Sequence, residues 1–131
     1  MRSAVIAALV CATPAIAADR PMTGAEFDAY TKGKTLFYGT NGLDYGIEEY
    51  LDGRRVRWSF LGDECVDGIW YERGTDICFR YDGRIEEQCW QFFLGQDGLT
   101  ARVAGDTGSP TVYEIRQSPE PMQCLGPPTG V

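Results

Sequence analysis

Histidine is absent from all 131 residues. Without imidazole there is no Ser-His-Asp or Cys-His activation of a nucleophile, no His-ligated zinc and no His-based pH switch. Basic residues are also scarce, 12 Lys and Arg against 19 Asp and Glu, for a formal charge of -7. Such a surface repels phosphate backbones and anionic lipid, so no nucleic-acid partner is expected. No apolar run approaches the ~20 residues that span a bilayer, which excludes a membrane-spanning helix. No two cysteines form a C-x-x-C pair, so the spacing predicts no zinc site, and no metal or cofactor motif is read. A chain of this length corresponds to one domain around one core, expected to be monomeric.

The first 17 residues have the three-part layout of a secretory signal: charged Arg2, an apolar run from Ala4 to Ala12, and the small-residue box Ala15-Ile16-Ala17. Residues 1 to 17 therefore read as a signal peptide and residues 18 to 131 as a single disulfide-bonded domain, placed in the periplasm or secreted. Removing the leader takes away Arg2 and Cys11 and leaves Cys65, Cys78, Cys89 and Cys124. An even set in an exported chain implies two bridges with three possible connectivities.

Thr23-Gly24-Ala25-Glu26 is a capping box, Met22 and Phe27 flank it at staple spacing, and Gly33 stands where a left-handed residue ends a helix. One short helix is predicted over residues 23 to 32. Beyond it the pattern changes to period two, punctuated by turn residues at Asn41-Gly42, Asp52-Gly53, Gly74-Thr75, Asp82-Gly83-Arg84, Asp97-Gly98 and Gly105-Asp106. Eight strands follow, over about 34–40, 43–51, 55–60, 68–73, 77–82, 86–94, 99–104 and 111–117. An eight-stranded meander closes readily, and closure removes exposed edges. The fold class expected is all-β: an eight-stranded antiparallel up-and-down, lipocalin-like small barrel, with the short N-terminal helix capping one mouth. The proline-rich tail after Ser118 is expected to be an extended strap.

Hairpin geometry then assigns faces. A two-residue turn at Asp52-Gly53 pairs Glu49 with Val56 and Ile47 with Trp58, which turns Glu49 inward and sets Glu48 outside, opposite Arg57. A turn at Gly74-Thr75 pairs Glu72 with Ile77 and Trp70 with Phe79. A loop at Gly83-Arg84 sets Cys78 opposite Cys89. The interior is then aromatic (Tyr45, Trp58, Phe60, Trp70, Phe79, Tyr81, Trp90, Phe92), with Tyr50, Ile69, Tyr71 and Phe93 outside. The disulfides expected are Cys78 to Cys89 across a hairpin, and Cys65 to Cys124 between the loop after Phe60 and the tail.

Two carboxylates fall on this aromatic face, each beside a turn at the same barrel end. Glu49 and Glu72, backed by Trp58 and Trp70, form the candidate ligand-binding site, where like charges would share a proton or bind a cationic group. The plainer alternative has both reach solvent or pair with Arg54 and Arg73. Paired carboxylates also suit general acid and base work, but no catalytic residue is assigned and the chain is expected not to be an enzyme.

The stretch Gly68-Ile69-Trp70, Ile77-Cys78-Phe79 and Cys89-Trp90 resembles the G-x-W…C…C core of small exported bacterial proteins of unknown function, over about residues 42 to 103. That resemblance implies export and disulfides and brings no activity. The plan is also similar to that of periplasmic barrel-type inhibitors of proteases or lysozyme, which place their G-x-W on the first strand; here it is on the fourth, so no family residue carries over. The functional expectation is an exported, non-catalytic binding or inhibitor-like module whose partner is an envelope protein or a small ligand. A structural or assembly factor docking on a larger envelope complex is the alternative.

Overall fold

The computed structural model describes residues 20–60 and 64–124. The expected signal peptide and its cleavage site lie outside the described residues. The helix α1 (Gly24–Thr31) begins at Thr23, whose side chain accepts from the Glu26 amide while the Glu26 carboxylate accepts from the Thr23 amide. Arg20 pairs with the same carboxylate at 2.6 Å. These bonds, Arg20's first, hold the Glu26 pKa down to about 2. The helix stops at Lys32, and Gly33 follows with φ 78°.

Eight strands succeed it: β1 (Thr35–Thr40), β2 (Leu43–Tyr50), β3 (Arg55–Phe60), β4 (Val66–Arg73), β5 (Asp76–Tyr81), β6 (Gln88–Gly95), β7 (Gly98–Val103) and β8 (Val112–Ser118). Each pairs antiparallel with its neighbour, and β8 returns to β1, so the sheet is a closed up-and-down barrel as expected. Among the described residues no helix is long and apolar enough to cross a membrane.

Phe27 explains why a helix of eight residues is stable here. It is fully buried and packs on Tyr50, Trp70, Phe79 and Phe92, with ring centroids 4.5 to 6.4 Å apart. The helix is thereby seated in one end of the barrel. Its first turn is tied to the wall by the Gly24 amide, which donates to the Glu72 carboxylate at 3.1 Å, a favourable place for an anion.

Both expected disulfides are present. Cys78 and Cys89 face each other across β5 and β6 with Cα atoms 4.0 Å apart. This is the narrow type of cross-strand pair, whereas a two-residue turn would have made it a wide one. The difference arises because the chain leaves the ladder over residues 82–87 instead of turning tightly at Gly83-Arg84. Cys65 and Cys124, with Cα atoms 5.4 Å apart, fasten the tail to the start of β4. On its way there the tail is held to the outer wall: the Glu120 carbonyl accepts from the Thr35 hydroxyl, and the Met122 amide donates to Glu49.

The β2–β3 register differs from the expected one by a single residue. Glu48 lies opposite Trp58, Glu49 opposite Arg57 and Tyr50 opposite Val56. The turn has three residues, Asp52–Arg54, and closes with the Leu51 amide donating to the Arg55 carbonyl. Arg54 takes φ 58°, a conformation uncommon outside glycine. Its guanidinium lies 4.4 Å over the Trp70 ring and 3.7 Å from Glu72, contacts across the barrel end that favour the longer turn. The shift exchanges the faces of β2: Tyr50 and Glu48 turn inward, and Glu49 turns outward. Arg57 therefore pairs with Asp67 at 2.7 Å, correcting the expectation that Glu48 opposes it. A bulge at Tyr45, the extra residue between Tyr38↔Gly46 and Gly39↔Asp44, resets the phase and keeps that ring inside.

Candidate functional site

Among the described residues the cavity opens at the end of the barrel opposite α1. The barrel there holds a cavity of about 50 Å³, within about 530 Å³ of free space counted out through the mouth. Tyr45, Trp58, Phe60 and Trp90 line its upper part, and Tyr38, Tyr50, Phe79, Tyr81 and Phe92 surround its deeper part. Phe79 and Phe92 also touch Phe27, so the helix supports the cavity floor. Trp58 reaches its place because β2 carries glycine at position 46. A Cβ there would run into the indole ring.

Glu48 is the unusual member of this lining. Its side chain is 2 % exposed, and Tyr81 is its hydrogen-bond partner, the hydroxyl standing 3.0 and 3.1 Å from the two carboxylate oxygens. Among the described residues no Lys or Arg forms an ion pair with it. Burial pushes the Glu48 carboxyl well above the usual carboxylate range, and the Tyr81 bond opposes that only in part. The Tyr38 and Tyr50 hydroxyls bond to each other at 2.8 Å. That contact consumes one of their two hydrogens and leaves lone pairs free for a ligand. Burial raises all three phenols well above their ordinary range, and the nearby Glu48 charge adds to each.

The residues singled out in the sequence are not gathered here as expected. Trp58 lines the cavity. Trp70 is buried beneath Phe27 and Arg54 at the helix end. Glu72 faces that same end, where it is bonded to Gly24 and 3.7 Å from Arg54, so the plainer expectation of an Arg54 partner describes it. Glu49 is on the outer wall beneath the tail. The expected pairing of Glu49 with Glu72 around one mouth is thus corrected: the one-residue register shift sends Glu49 out and brings Glu48 in. Tyr50 is missed for the same reason, and Tyr38 because no hairpin placed from the sequence gives β1 a face. Ile69 is outside and 44 % exposed, as expected, and Phe93 carries Arg102 over its ring. Tyr50, expected outside, is 2 % exposed and lines the cavity.

Among the described residues no group of three or more Cys, Asp or Glu is arranged to hold a metal ion. The fold and the cavity together define a closed, disulfide-bonded β-barrel with an aromatic interior open at one end. Comparison of the chain with protein families, curated proteins and solved structures finds no match.

Proposed function

We propose that this protein is an exported, non-catalytic binding module that takes one small ligand into the barrel through the mouth opposite α1. The observation that carries this reading is Glu48, a buried carboxyl on the wall of an aromatic cavity that forms no ion pair among the described residues. Such a group is costly to keep in a core, where an apolar side chain would be more stabilising. Its place on a concave aromatic surface is that of a recognition group. Two disulfides suit an oxidising compartment and agree with a periplasmic or secreted location. Catalysis by paired carboxylates is disfavoured because Glu49 and Glu72 are engaged separately, one by Met122 and the other by Gly24.

The test uses 2-phenylethanol as a neutral probe and records shifts of side-chain and backbone signals by heteronuclear NMR. Perturbations are expected at Tyr45, Trp58, Tyr81 and Trp90, and Ala101→Leu, which fills the cavity from β7, should reduce them. No perturbation at millimolar probe, or perturbation confined to the outer-wall rings of Phe37 and Phe93, contradicts the reading. Docking on a larger envelope assembly is the second reading, favoured by Leu43, 70 % exposed at the start of β2, and the fully exposed Ile85 between β5 and β6, both at the end opposite α1. It predicts that the probe leaves the cavity signals unmoved.

A further inference from the structure

The cavity's polar groups are distributed in a way that narrows the ligand class, given the binding role proposed above. At depth they are oxygens: the Glu48 carboxyl and the hydroxyls of Tyr38, Tyr50 and Tyr81. Higher up, the lining turns to the faces and edges of Tyr45, Trp58 and Phe60, which pack with centroids 5.3 to 5.6 Å apart. Carbonyl, carboxylate or phosphate groups of a ligand would find no cationic donor at depth among the described lining residues. An ammonium would find acceptors for its three hydrogens and aromatic faces around its first carbons. Arg84, exposed at the rim, is the cation among the described lining residues. Its charge disfavours a second cation at the outer end of the ligand.

We propose that the cavity selects a monoamine with a flat apolar body, its primary ammonium seated against Glu48 and the Tyr38, Tyr50 and Tyr81 oxygens, and its ring held in the mouth by Trp58 and Phe60. The ammonium and a short methylene stem enter the cavity. The ring stays in the wider opening above. Binding carries a proton balance. Burial disfavours the Glu48 charge in the free barrel and the ammonium favours it, so binding the amine shifts the carboxyl toward its ionised form and releases protons to solvent. The phenols of Tyr38, Tyr45, Tyr50 and Tyr81, all raised by burial, keep their protons throughout.

The experiment compares 2-phenylethylammonium with 2-phenylethanol, nearly the same shape without the charge, by calorimetry in two buffers of different ionisation enthalpy and by NMR at pH 8. The amine is expected to bind at least about tenfold more tightly, the discrimination of one charge-assisted hydrogen-bonded contact. It should also release protons to solvent. In Glu48→Gln the preference should fall to within about twofold while 2-phenylethanol still binds, a control that the barrel is intact. In Arg84→Gln the amine should bind as well or better, and 1,4-diaminobutane should be weaker than the monoamine on the native chain. Equal binding of amine and alcohol, or a preference that survives Glu48→Gln, overturns the amine assignment and leaves the binding cavity standing. Failure of both probes to bind overturns both.

Discussion

Phe27→Ala should destabilise the protein by about 3–5 kcal/mol, the usual cost of deleting a fully buried aromatic side chain. The ring is 0 % exposed and touches four other rings contributed by β2, β4, β5 and β6. The helix has only eight residues, too few to persist without its tertiary contacts. Losing its anchor therefore removes the closure of one barrel end along with the side chain. Since domains of this size are stable by only about 5–15 kcal/mol, the melting temperature should fall by roughly 15 °C or more. Phe79 and Phe92 would also lose their support, so the cavity should extend toward the vacated end. A loss below 1 kcal/mol in denaturant unfolding would mean that α1 does not seat in the barrel.

Removing the bridge between Cys65 and Cys124 by a double Ser substitution should cost about 4 kcal/mol on the chain-entropy relation, because the bridge closes a loop with sequence separation 59. The same relation gives about 3 kcal/mol for Cys78 and Cys89, separated by 11. The order of the two effects is a sharper test than either magnitude. Releasing the first bridge also frees the tail from the outer wall, where it covers Glu49 and Thr35. Hydrogen exchange of the Met122 amide should accelerate, while the amides of β5 and β6 keep their protection relative to global unfolding. If the double variant unfolds at the native denaturant midpoint, the tail is not a stabilising strap.

The local signals in the sequence translate closely into structure, and the long-range ones do not. Thr23, Glu26 and Gly33 mark the helix because capping is decided within a few residues. The turn glycines at 42, 53, 74, 83, 98 and 105 all have positive φ and lie where the strands break, so strand positions follow from punctuation. Cys78 and Cys89 could be paired because both sit on one hairpin whose register was right even though its loop is longer than two residues. The β2–β3 hairpin was ambiguous in a specific way. Two adjacent glutamates mean that either register places one carboxylate inside, and the alternation of Tyr45, Ile47 and Glu49 with Trp58 opposite Ile47 looked continuous. Nothing local announces the bulge at Tyr45. Nor does the turn sequence reveal that Arg54 adopts φ 58° with its guanidinium over Trp70, a contact between the turn and β4. The candidate site was therefore legible as an acidic group among aromatics, but its carboxyl was assigned to the neighbouring residue.

Glu48 in the cavity is the centre of this account, and its titration tests it most directly. A carboxyl neutral in the folded state and ionised in the unfolded one makes the native protein bind the extra proton. Stability should then fall as pH rises from about 4.3, the ordinary glutamate value, up to the raised folded-state value. Glu48→Gln should abolish that decline. The decisive measurement is carboxyl-carbon NMR across pH with the Glu48 and Glu49 signals assigned by substitution. Glu48 should titrate well above the usual carboxylate range, its midpoint moving down when 2-phenylethylammonium is bound. A Glu48 that titrates in the ordinary range while Glu49 is strongly raised would contradict the account and restore the register in which Glu49 faces the barrel interior.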